Sequence, residues 1–84
     1  MRGTASLRRS GYNMVPVTLL DLSSAGFRIE TFGGITVGAT VWITLPGLAA
    51  IEAKVAWAKG DHVGCEFHKP LHPSVLEALI RRVG

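Results

Sequence analysis

The chain has 84 residues, 48% of them hydrophobic and 18% charged. That is one small domain burying about 60–65% of its unfolded surface, and a chain too apolar to stay disordered. The single cysteine, Cys65, excludes an internal disulfide framework and suits a reducing, cytoplasmic setting, with no signal peptide and no apolar run near the roughly 18 residues of a membrane span. The net charge of +3 is modest, and its clusters, Arg2, Arg8 and Arg9 near the start and Arg81 and Arg82 near the end, read as solvated surface or as faces for an anionic partner.

Short β-branched and apolar runs, punctuated by ten glycines and four prolines, predict an antiparallel barrel or sandwich. Thr4 to Arg9 reads as a first strand closed by Ser10-Gly11, and Met14 to Leu20 as a second. Pro16 inside the second strand argues for an edge or a bulge, because proline cannot donate to a ladder. Gly26 to Phe32 is a third strand, with Phe27 and Ile29 inward and Arg28 and Glu30 outward. Gly33-Gly34 and Gly38 bracket a loop. Ala39 to Leu45 is the fourth strand, with Val41, Ile43 and Leu45 on one face; Trp42, on the other, is expected to cap the barrel or pack under a helix. After the Pro46-Gly47 turn, Ile51 to Ala58 alternates strictly, and that alternation assigns Trp57 to the core with Ile51, Ala53 and Val55. Lys59-Gly60-Asp61 predicts a hairpin turn into a sixth strand, Val63 to Phe67.

The period then changes. Leu76, Leu79, Ile80 and Val83 recur at the spacing of one helix face. Pro73 suits the first helical position, and Arg81-Arg82 complement the dipole at the end. Six strands and one closing helix therefore form a small all-β barrel whose helix needs a surface to cover.

The break between the second and third strands is the informative stretch. Asp21, Ser23 and Gly26 have the spacing D-x-S-x-x-G. Asp and Ser at a strand end bond nearby backbone and hold a tight loop. A glycine three residues on permits a positive φ or the close approach of a flat group. By itself the motif fits an ordinary turn.

Its surroundings extend the pattern: F-R-I-E after the loop, Val55-Ala56-Trp57, Gly64-Cys65-Glu66-Phe67, and P-L-H-P before the helix. Together, from about Thr4 to Val83, these resemble the PilZ domain family. The resemblance implies a six-stranded Greek-key barrel closed by a C-terminal helix, acting without enzymatic activity or cofactor as a regulatory module for the bacterial second messenger cyclic di-GMP. It implies that Asp21, Ser23 and Gly26 contact one guanine and the sugar-phosphate ring. It also implies an R-x-x-x-R segment just before the first strand, folding over the nucleotide and altering contacts with a partner protein or domain. An arginine fork suits phosphate oxygens and the guanine O6/N7 edge, and its plane stacks on the base.

Here the chain departs from the family. Its arginines stand at 2, 8, 9, 28, 81 and 82, and no two are four apart. Arg2 is the one candidate arm; Arg8 and Arg9 substitute only in a shifted strand register. Either the sequence begins after the motif or half the site is lost. Charge-assisted hydrogen bonds contribute roughly 1.5–3 kcal/mol each, so losing two arginines lowers affinity on the order of a thousandfold. The expectation is a PilZ-type module with weakened or absent cyclic di-GMP binding; the alternative is an interaction module that binds no nucleotide.

Other residues carry less. His62, His68 and His72 lack zinc-ligand spacing, and Cys65 in a strand is expected to be buried. Ser23 or Ser24 lacks the surroundings of a hydrolase nucleophile. A DNA- or RNA-binding barrel needs aromatics on a basic face, where only Tyr12 beside Arg8 and Arg9 qualifies. Gly64, a glycine within a strand, marks a bulge or a close approach to the backbone.

Overall fold

The computed structural model describes residues 3–31 and 34–83. In chain order the elements are β1 (Gly3–Arg9), β2 (Val15–Leu22), β3 (Gly26–Glu30), β4 (Thr40–Thr44), β5 (Ile51–Lys59), β6 (His62–Phe67) and α1 (Pro73–Val83). All adjacent strands are antiparallel, and they close in the order β1-β2-β3-β6-β5-β4. Closure comes from β1, which pairs with β2 on one side and β4 on the other.

Alternation dictates the core. Ala5 and Leu7, Val17 and Leu19, Phe27 and Ile29, Val41 and Ile43, Ala53 and Val55, and Val63, Cys65 and Phe67 all point inward, and no polar side chain is buried among the described residues. Phe27 and Phe67 meet with ring centroids 5.4 Å apart, beneath the turn between β2 and β3. The β5–β6 hairpin turns on Gly60-Asp61, with Gly60 at φ 59°, a conformation that disfavours any residue with a Cβ. Pro16 pairs with Ser6 of β1, whereas the β2–β3 ladder starts only at Thr18. The missing N–H thus falls where β2 has one ladder partner, as its edge signal anticipates.

Helix α1 comes after β6, at the barrel end that also carries the β2–β3 turn. His72 caps it: its carbonyl accepts from the Val75 and Leu76 N–H groups, and its Nδ1 accepts from the Ser74 N–H at 3.1 Å. Leu79 enters the core at 2% exposure, and Leu71 and Val75 pack against it. Ile80 departs from the expected face: it is 39% exposed, because the helix is rotated toward Val75. No helix among the described residues is long and apolar enough to cross a membrane.

Trp42 packs neither under the helix nor across the barrel end. It lies half-buried on the outer wall, with the Arg8 guanidinium 4.3 Å from its ring centroid, opposite it in the β1–β4 ladder.

Candidate functional site

Two β-bulges shape the outer wall. In β2 the register shifts between Leu19 and Asp21, so Leu20 is an extra residue; in β5 it shifts between Val55 and Trp57, so Ala56 is extra. An inserted residue reverses the facing of every residue beyond it in the strand. Without these bulges Asp21 would share the inward parity of Leu19, and Trp57 that of Val55. With them, both turn out. The expected core role of Trp57 is therefore wrong: the residue is 43% exposed.

The ladders then bring four distant residues into one row. Asp21 on β2 stands opposite Arg28 on β3, Arg28 opposite Gly64 on β6, and Gly64 opposite Trp57 on β5. Arg28 and Asp21 form an ion pair at 2.5 Å, with both side chains partly exposed. The Arg28 Nε is buried without a hydrogen-bond partner. Gly64 explains itself through Trp57: a Cβ there would collide with the pyrrole side of the indole. The close approach that its place in a strand suggested is made by the chain's own tryptophan.

Beside the row sits the D-x-S-x-x-G loop. The Ser23 N–H donates to the Gly26 carbonyl at 2.9 Å, and the Gly26 N–H donates to the Ser23 hydroxyl at 3.2 Å, closing a four-residue turn. The next two carbonyls are also engaged: Ala25 accepts from Phe67 N–H and Ser24 from Leu71 N–H, each at 2.8 Å. Gly26 has no positive φ; what requires glycine is the Cys65 carbonyl, which a Cβ at position 26 would strike. Asp21, Ser23 and Gly26 thus line one groove, with Ser23 holding the turn.

The groove has a volume of about 440 Å³ and is lined by the loop, Arg28, Trp57, Gly64 and Glu66. Among the described residues its charged lining is one arginine, Arg28, against two carboxylates, Asp21 and Glu66. Arg2 lies outside the described residues. Arg8 and Arg9 do not replace an N-terminal pair, because no shifted register occurs: they pair with Trp42 and Val41 of β4, at the barrel end away from the loop. Cys65 is buried, and burial pushes its thiol up to about 12, so it stays protonated and unreactive.

Sequence reasoning found the loop and Gly64 and faced Arg28 outward, but it did not join Arg28 to the loop and it placed Trp57 in the core. The signal was local for the loop and absent for Trp57, since nothing in strict alternation announces a bulge.

The architecture is a closed barrel with a filled core and a groove on its outer wall. The PilZ domain family model matches residues 1–83, and the chain belongs to that family. The comparison with curated proteins found no match.

Proposed function

We propose that this chain is a non-catalytic regulatory module, cytoplasmic in setting, that carries one half of a cyclic di-GMP site and binds that nucleotide weakly or not at all by itself. In this reading Asp21, Ser23 and Gly26 form the nucleotide-facing half, and the Trp57 indole offers a surface for stacking a base. The observation that carries it is the charge of the groove: Asp21 and Glu66 outnumber Arg28, and Asp21 already occupies that arginine. A dianionic ligand meets net repulsion there unless further cations are supplied. The test is calorimetric titration of cyclic di-GMP into the chain and into a version preceded by an R-x-x-x-R segment. The expected result is no binding at about ten micromolar by the first and clear binding by the second, lost on Asp21→Ala. Binding of the unextended chain below about one micromolar would falsify the reading.

A second reading, an interaction module without nucleotide, is favoured by the exposure of Trp57 together with its neighbours Ala56 and Ala58.

A further inference from the structure

We propose that the groove beside the Ser23–Gly26 turn docks an arginine-bearing segment of a partner protein, an inference that rests on the reading that, among the described residues, the groove is short of positive charge. The chain shows the chemistry elsewhere on its wall. Arg8 lies over Trp42 at 4.3 Å, and Arg9 over Tyr12 at 4.1 Å. Trp57 is the tryptophan that no cation covers among the described residues, although it is 43% exposed and propped on Gly64.

A counter-charge lies within reach. Gly64 and Glu66 share the outward face of β6, which places Glu66 about 7 Å along the strand from the point where the indole rests. Glu66 is exposed and lines the same groove. Lys54 stands opposite it on β5 yet makes no ion pair with it, and no other described residue does. Asp21, in contrast, is engaged by Arg28. The unfilled features are therefore a tryptophan face and a carboxylate one side-chain length apart.

Arginine matches that pair better than lysine. Its guanidinium is flat, stacks on the indole, and presents a fork to a carboxylate, whereas an ammonium offers a strongly hydrated point charge. A nucleic acid or an acidic peptide meets two carboxylates at the groove and is repelled. A purely apolar peptide would leave Glu66 desolvated and unpaired.

The experiment is calorimetric titration of the chain, with no nucleotide present, by an end-capped glycine-serine peptide carrying two arginines. Counterparts with lysine and with citrulline, the neutral isostere, are titrated alongside. The arginine peptide should bind about tenfold more tightly than the lysine peptide, and citrulline should abolish binding. Glu66→Gln should weaken the arginine peptide about threefold to fivefold, and Trp57→Ala about tenfold. Glu66 lies outside the core, so its variant keeps the fold. Equal binding of arginine and citrulline peptides, an unchanged affinity in Glu66→Gln, or no binding by any peptide overturns the proposal. The nucleotide titration reads out separately: tight cyclic di-GMP binding by the unextended chain sinks the weak-binding reading, while silent peptide titrations sink the docking proposal alone.

Discussion

Gly64 and Trp57 form the contact on which the groove depends. The indole occupies the space a Cβ at position 64 would take, so the β6 backbone serves as the floor on which the ring rests. Alanine at Gly64 must push the ring away or bend the strand, at a cost of roughly 1–3 kcal/mol. In a Trp57→Ala background the obstacle is gone, and the same substitution should cost less than about half as much. Denaturant midpoints of the four proteins measure this, and an equal cost in both backgrounds would show that the ring does not rest there. Gly26 obeys the same rule through a different neighbour, the Cys65 carbonyl. In both cases glycine is needed for space, whereas at Gly60 it is needed for φ.

Strands and helix differ in how well their periodicity survives packing. Each strand kept the facing its alternation implies until a bulge intervened, and the two bulges, at Leu20 and Ala56, are what place Asp21 and Trp57 on the outer wall. The helix kept its period but not its phase. Leu76, Leu79, Ile80 and Val83 define a stripe in the sequence, yet the buried line runs through Val75 and Leu79. Such a rotation is invisible to spacing alone, because Val75 and Ile80 are both apolar. Leu79→Ala should therefore cost about 2–4 kcal/mol, and Ile80→Ala less than about 1 kcal/mol. Comparable losses from the two, measured by thermal or urea unfolding, would place Ile80 in the interface after all.

The barrel as a unit is held by an apolar interior into which, among the described residues, one titratable side chain is admitted, Cys65. Burial raises its thiol from 9.0 to about 12. The folded state thus keeps a proton that the unfolded chain releases above 9.0. The contribution of this group is fully present below 9.0 and declines as pH rises toward and through 12. Urea unfolding at a series of alkaline pH values should show the native protein losing stability faster than Cys65→Ala, with the two curves parallel below 9.0. Parallel curves throughout would mean that the thiol is solvated in the fold. Native Cys65 should likewise resist alkylation until the barrel opens.

The strand count, the closing helix, most of the core and the D-x-S-x-x-G turn were legible in the chain, because each depends on spacing among near neighbours. Alternation, turn glycines and a helical period are local consequences of backbone geometry. The groove was not legible as a whole. Asp21, Arg28, Gly64 and Trp57 become neighbours only when β2, β3, β6 and β5 pair side by side. The facing of Asp21 and Trp57 depends further on one extra residue in each of two strands, and an insertion of that kind is defined only against a partner strand. Register between strands is a property of the closed barrel, and the wall of the groove is written in that register.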